Sequence, residues 1–244
     1  MELSGLTALV TGATAGIGRA VAVQLAHEGA EVVVHGRDAR RGKEVVAAIE
    51  ADGGSARFVQ ADLADTGDVL RLAEEAGEVD ILINNAGVYK FLPTSEMTDE
   101  LFDLHMDLNT KAPYLLVREL APGMAQRGHG SIVNISTLAA SVVTKGTGMY
   151  SASKAALEQL TEVWATEYAR RGVRVNAVAP GPTRTPGTDD MDPTKLKTIA
   201  ETTAMGRVAE PKEVAEAVVF LASERASYIT GVVLEVDGGH LGMG

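Results

Sequence analysis

The sequence predicts an α/β fold with a doubly wound parallel sheet, and three observations predict it. Short runs rich in β-branched residues alternate along the chain with amphipathic stretches of helical period. Most of these runs are apolar throughout rather than alternating, the pattern of parallel strands covered on both faces. A glycine-rich turn separates the first apolar run from the first helical stretch.

In order, the runs fall at 7–11, 31–36, 57–61, 80–84, 131–136, 174–179 and 232–236. Residues such as Val32, Val33 and Val34 suit a pleated surface. The stretches 18–27, 40–51, 68–76, 99–127, 150–170 and 211–222 read as helices, with Leu157, Leu160 and Trp164 forming one buried stripe. Segment 180–206 breaks the rhythm. It holds Pro180, Pro182, Pro186 and Pro193, and predicts a loop with a short helix near 195–203. A long excursion after the carboxyl end of a strand is where a lid over a substrate sits. No repeat or Pro/Gly/Ser linker divides the chain, so 1–244 is expected to form one domain, with 180–206 as a substrate-binding loop within it.

Composition narrows the chemistry. The 244 residues contain no cysteine, which excludes disulfides, thiolate catalysis and Cys-ligated metals. The five histidines are scattered with no i, i+4 pair, so no metal site is expected. A formal charge of −11 disfavours nucleic acid and anionic membranes as partners. The opening Met1–Gly12 stretch lacks a basic segment followed by a long apolar one, and no apolar run approaches the ~18 residues of a membrane span. A cytoplasmic location is the expectation.

Thr11-Gly12-Ala13-Thr14-Ala15-Gly16-Ile17-Gly18 joins the first strand to the first helix. Glycines let the backbone approach a pyrophosphate, and the helix N-terminus offers N–H groups and partial positive charge. Its structural reading is only a tight turn. Further motifs follow in order: Asp62-Leu63 after the third strand, Asn84-Asn85-Ala86-Gly87 after the fourth, Tyr150-Ser151-Ala152-Ser153-Lys154, Pro180-Gly181 after the sixth, and Asp237-Gly238-Gly239 near the end. Together they resemble the short-chain dehydrogenase/reductase family over nearly the whole chain. The resemblance implies a Rossmann-like domain with seven parallel strands in the order 3-2-1-4-5-6-7, helices on both faces, and a bound nicotinamide dinucleotide. Residues it implies for the cofactor are Gly12, Thr14, Ala15, Gly16, Ile17, Gly18, Asp62, Leu63, Asn85, Ala86, Gly87, Tyr150, Lys154, Pro180, Gly181, Thr183 and Thr185.

The end of the second strand selects the nucleotide. A carboxylate about 20 residues after the glycine motif would hold the ribose 2′-OH of NAD. Gly36 stands there, followed by Arg37, whose guanidinium suits the 2′-phosphate of NADP. NADP(H) is therefore expected over NAD(H), although Asp38 adds a negative charge beside Arg37 and the basic slot inside the glycine motif is Ala15.

Tyr150 and Lys154 share one helical face at i, i+4. A free phenol, with a pKa near about 10, is a poor base at neutral pH, and a nearby ammonium favours phenolate. The resemblance implies that Tyr150 is the general acid/base, that Lys154 holds the nicotinamide ribose, and that Asn109 anchors a water in the proton relay. The family serine lies 13 residues before the tyrosine; that count reaches Thr137, beside Ser136. The expected catalytic set is Asn109, Thr137, Tyr150 and Lys154. Asn109 also reads as a satisfied amide in a helix kink.

The activity these residues imply is hydride transfer between NADP(H) and a secondary alcohol/ketone pair. A 3-oxoacyl-[acyl-carrier-protein] reductase is the alternative. An acidic chain disfavours an acidic carrier, unless a basic patch at Arg170, Arg171 and Arg174 receives it. A non-catalytic dinucleotide sensor on the same fold would be expected to lose Tyr150 or Lys154. Tyr89, Val142, Met149, Pro182 and Met191 are candidate pocket residues. The resemblance implies a homotetramer, or a homodimer, packed through the helices at 99–127 and 150–170.

Overall fold

The computed structural model describes residues 1–186 and 193–240. Its sheet has seven parallel strands in the order β3-β2-β1-β4-β5-β6-β7. They are β1 (Thr7–Val10), β2 (Glu31–Gly36), β3 (Ser55–Gln60), β4 (Ile81–Asn84), β5 (Gly130–Ile135), β6 (Val173–Pro180) and β7 (Val233–Val236). The switch in strand order falls between β1 and β4, where Val10 pairs with Val34 on one side and Ile83 on the other. In such sheets the crevice beyond the carboxyl ends at the switch point takes the ligand.

The apolar strand runs feed two cores. Ala8, Val10, Val32, Val34, Ile81 and Ile83 face one layer, against helices α1 (Gly16–His27) and α8 (Pro211–Ala222). Leu9, Val33, Leu82 and Ile132 face the other, with α3 (Thr66–Ala76), α5 (Ala112–Arg127) and α6 (Gly148–Tyr168). Successive strand side chains point to opposite faces, so two covered faces require apolar residues at every position. Helix α2 (Ala39–Ala51) completes the first layer.

Two elements differ from the sequence expectation. The helix expected over 99–127 is α4 (Asp99–Met106), a π-turn (Asp107–Lys111) and α5. The widened turn turns Asn109 into the interior, where it is fully buried. The short helix expected near 195–203 is α7 (Pro193–Ala200), and it starts at a proline, which suits a first turn because its missing N–H would have no partner there. No helix among the described residues is long and apolar enough to cross a membrane.

Candidate active site

The loop after β1 is built for close approach. Gly12 adopts φ +64°, and a Cβ there would lie 2.9 Å from both the Ala86 Cα and the Asn85 amide nitrogen. The Asn85 amide donates to the carbonyls of Thr11 (2.8 Å) and Gly12 (3.1 Å), while the Thr11 hydroxyl accepts from the N–H groups of Asn85 and Ala86. Asn85, expected at the cofactor, thus spends its side chain joining the β4 end to the glycine loop, and Gly18 packs against that amide. Asp38, Asp65 and Thr98 cap α2, α3 and α4 with side-chain oxygens. The N-cap of α1 is Ala15, which has no such oxygen, and no acidic side chain stands in its first turn. An N-terminus left uncapped in this way, behind a turn too tight for side chains, fits a pyrophosphate. Thr185 packs against Gly16 from the segment after β6, so the glycine loop and that segment face one another across a cleft of about 570 Å³.

His35 supports this loop, and the sequence reading passed over its role. Its Nδ1 accepts from Gly12 N–H at 3.1 Å, so Nε2 carries the proton and donates to the Ala61 carbonyl at 3.1 Å. The available signal was a histidine interrupting the apolar run Val32-Val33-Val34. Burial pushes its pKa down to about 4 from 6.5. Between those values the unfolded chain binds the extra proton, so this group makes stability fall as pH drops from 6.5 towards 4, by on the order of 3 kcal/mol in all. Urea unfolding of the unmodified protein and of His35→Asn at pH 7 and pH 4.5 measures this: the variant should lose less stability across the window, and equal losses would contradict it.

At the end of β2, Arg37 is exposed and lines a cleft of about 550 Å³ with Gln60, Asp62 and Arg71. Asp38 is engaged elsewhere: its carboxylate accepts from the N–H groups of Arg40 (2.9 Å) and Arg41 (3.1 Å) as the cap of α2. Gly36 packs against the Thr14 methyl so closely that any side chain at 36 would collide with it. Leu63 is a core residue, so only its main chain can meet a ligand.

Further along the carboxyl edge of the sheet the chain runs from β5 to α6. Three consecutive residues at the strand end meet three residues one turn apart on the helix. The Ile135 carbonyl accepts from Lys154 Nζ at 2.6 Å, the Ser136 hydroxyl donates to Glu158 Oε1 at 2.5 Å, and the Thr137 hydroxyl lies near enough to the Tyr150 phenol to pull its pKa down. Residues at i, i+4 and i+8 share a helical face, which makes the match possible. Glu158 is a second residue the sequence reading passed over; its spacing from Lys154 was the signal. Burial raises the phenol above its ordinary value of 10; the Thr137 hydroxyl opposes this and Tyr89 adds to it. The expected pull of Lys154 towards phenolate is not among the influences on Tyr150, which keeps its proton at neutral pH. Burial lowers Lys154 to about 8, with Glu158 opposing the fall.

Asn109 spends its amide on the protein. Its Oδ1 accepts from Val88 N–H (2.9 Å), and its Nδ2 donates to the Val88 carbonyl (3.0 Å) and the Ser153 hydroxyl (2.9 Å). Gly87 lies against Asn109 and Lys154. Beyond β6, Gly181 N–H donates to Val236 O at 3.0 Å and Thr183 Oγ1 donates to the Gly181 carbonyl at 3.0 Å. Of the candidate pocket residues, Tyr89 meets the Tyr150 ring. Val142, Met149 and Pro182 are partly buried, and Met191 lies outside the described residues.

A crossover sheet with a glycine turn at its switch point and a Tyr/Thr/Lys cluster further along its carboxyl edge defines a dinucleotide-dependent class of protein. Known proteins agree. A family model described as enoyl-(acyl carrier protein) reductase matches residues 12–240. A solved short chain dehydrogenase/reductase family protein is 53% identical, superposes with a TM-score of 0.91, and covers 98% of each chain. The 2,5-dichloro-2,5-cyclohexadiene-1,4-diol dehydrogenase of Sphingobium indicum is 37% identical over 98% of this chain and 97% of its own. The crystal structure of a 3-oxoacyl (acyl-carrier-protein) reductase from Agrobacterium tumefaciens, with NADP bound, is 33% identical with a TM-score of 0.94, over 98% of this chain and 95% of that one. The chain belongs to the short-chain dehydrogenase/reductase family of oxidoreductases.

Proposed function

We propose that the protein is an NADP(H)-dependent oxidoreductase acting on a secondary alcohol/ketone pair, with Tyr150 as general acid/base. The observation that carries this reading is the junction of β5 and α6, where Lys154 is buried on the Ile135 carbonyl and the Thr137 hydroxyl lies beside the Tyr150 phenol. NADPH, when bound, supplies the hydride. The chain's own residues manage the oxygen: Tyr150 donates its phenolic proton to the carbonyl oxygen, and Thr137 holds that oxygen as it gains charge. Lys154, whose ammonium is held at the Ile135 carbonyl, would hold the nicotinamide ribose. Asn109, from its π-turn, fixes the Val88 main chain on one wall. The segment 180–206, of which 187–192 lie outside the described residues, serves as the substrate-binding loop in this reading. The test is NADPH oxidation with a panel of ketones. Turnover of none of them, with NADPH bound, would favour a sensor instead.

NADP(H) is supported by the exposed Arg37, by Asp38 being held as a helix cap, and by the NADP seen in the Agrobacterium relative. Arg37→Ala should lower kcat/KM for NADPH about tenfold or more and leave NADH nearly unaffected, because a lost phosphate contact costs roughly 1.5–3 kcal/mol. Steady-state kinetics with both nucleotides and one ketone checks this; an equal loss for both would remove Arg37 from the site. Gly36→Asp is a poorer test, since it must also displace Thr14.

The acyl-carrier-protein reading loses part of its support. Arg174 is not a docking residue: its guanidinium donates to the carbonyls of Leu221 (2.5 Å), Ala222 (3.2 Å) and Ser223 (3.0 Å) at the end of α8. Arg171 lies over the Tyr168 ring. The basic patch shrinks to Arg170 and Arg171. We also read a homotetramer or homodimer built on α4, α5 and α6, on which Phe102, Tyr114 and Val163 are exposed.

A further inference from the structure

Residues 88–92 follow the Asn-Asn-Ala-Gly turn, and their main chain is pinned at every second position. Val88 is held through both its N–H and its carbonyl by Asn109. Lys90 N–H donates to Nε2 of His105 at 3.2 Å. His105 is wholly buried and its Nδ1 bonds the Leu101 carbonyl at 2.7 Å, which leaves Nε2 as the acceptor. Leu92 N–H donates to the Gly146 carbonyl at 2.8 Å, tying the segment to the loop between β5 and α6.

The residues between these anchors are Tyr89 and Phe91. Their rings stay 48% and 54% exposed, although both are large and apolar. Each meets the Tyr150 ring edge-on, at centroid distances of 6.4 and 5.7 Å, and they meet one another at 6.1 Å. The proton donor is therefore one member of a three-ring wall on a fixed main chain. Half-exposed aromatic surface gains free energy when an apolar body covers it, and edge-to-face geometry adds to that for a second aromatic system. A substrate oxygen held by Tyr150 and Thr137 brings one flank of its carbonyl against this wall. A flat ring covers both Tyr89 and Phe91. A linear acyl chain covers less, and a polyol would lose hydration against carbon without gaining partners.

We propose that the substrate carbonyl is fused to, or carried directly on, an aromatic or flat cyclic body that seats against Tyr89 and Phe91. The proposal rests on the oxidoreductase reading above for the position of the carbonyl. Two measurements test it. In the first, NADPH-dependent reduction of 1-tetralone is compared with that of 2-octanone and ethyl acetoacetate. The expected result is a kcat/KM about tenfold or more in favour of 1-tetralone. Phe91→Ala should remove most of that advantage through KM, while 2-octanone changes by less than about threefold. No preference for 1-tetralone, or equal losses with both ketones, overturns the proposal. The second measurement needs no turnover. Calorimetry follows 2-naphthol binding to the NADP-loaded protein and to the Tyr89→Ala/Phe91→Ala double variant, with NADP affinity and circular dichroism verifying the fold. Binding weakened about tenfold in the double variant supports the aromatic seat even if no ketone is reduced, in which case the oxidoreductase reading alone fails. Unchanged binding, or none to either protein, overturns the seat.

Discussion

Tyr150→Phe is expected to abolish turnover, lowering kcat by on the order of 100-fold to 10,000-fold while NADPH affinity stays nearly unchanged. The substitution removes one oxygen. The ring remains edge-on to Tyr89 and Phe91, so the wall of the cleft is preserved. What is lost is the proton that, in the proposed mechanism, neutralises the developing alkoxide, together with the phenol oxygen beside Thr137. Lys154→Ala should differ by harming both turnover and NADPH binding, and it leaves the Ile135 carbonyl without its 2.6 Å partner. The pH profile separates the two groups. In ketone reduction Tyr150 must be protonated, and burial keeps it so to beyond pH 10. Lys154 is the group that titrates first, near 8, and it is charged below that pH and neutral above it. The kcat/KM for reduction should therefore fall as pH rises through about 8. Single-turnover and equilibrium-binding measurements on both variants, with the pH profile of the unmodified protein, decide the matter. A Tyr150→Phe protein that retained most of its activity would end the proposed mechanism.

Thr137→Ala should cost on the order of 100-fold or more in kcat, and Ser136→Ala only a few-fold. The two hydroxyls are neighbours in sequence but are held by different partners. Thr137 Oγ1 accepts from the Ala139 N–H at 3.3 Å and lies beside the Tyr150 phenol, and in the proposed mechanism it donates to the same substrate oxygen. Ser136 is 3% exposed and donates to Glu158 Oε1 at 2.5 Å, so it has no free hydrogen for a substrate. Its loss leaves a partly buried Glu158 carboxyl without its donor, a stability cost of about 1–3 kcal/mol that thermal unfolding would show. Thr137→Ser should retain most activity, since the hydroxyl survives and only the methyl that restricts χ1 is removed. A severe loss in Ser136→Ala with a mild one in Thr137→Ala would reverse the roles.

The architecture was legible in the residues alone. Seven apolar runs separated by amphipathic stretches leave few arrangements other than a parallel sheet covered on both faces, and the observed strands begin and end within two residues of those runs. The chemical candidates were legible too, because the glycine turn and the tyrosine–lysine pair are local: their spacing along one strand–turn–helix or one helical face already fixes what can be near what. The partners of polar side chains emerge only once the chain is folded. Arg174 reads as surface charge until β6 places it beside the end of α8, 47–49 residues away. His35 reads as a strand residue until Gly12 comes to lie against its ring. The π-turn at Asp107–Lys111 is invisible in the pattern, because one extra residue in a turn barely disturbs an apolar stripe; the buried contacts of Asn109 with Val88 and Ser153 give that turn its return. The aromatic wall at Tyr89, Phe91 and Tyr150 needs a loop and a helix about 60 residues apart to be pinned together. Apolar burial is non-directional and legible as a period, whereas a hydrogen bond or ring contact depends on where distant segments meet.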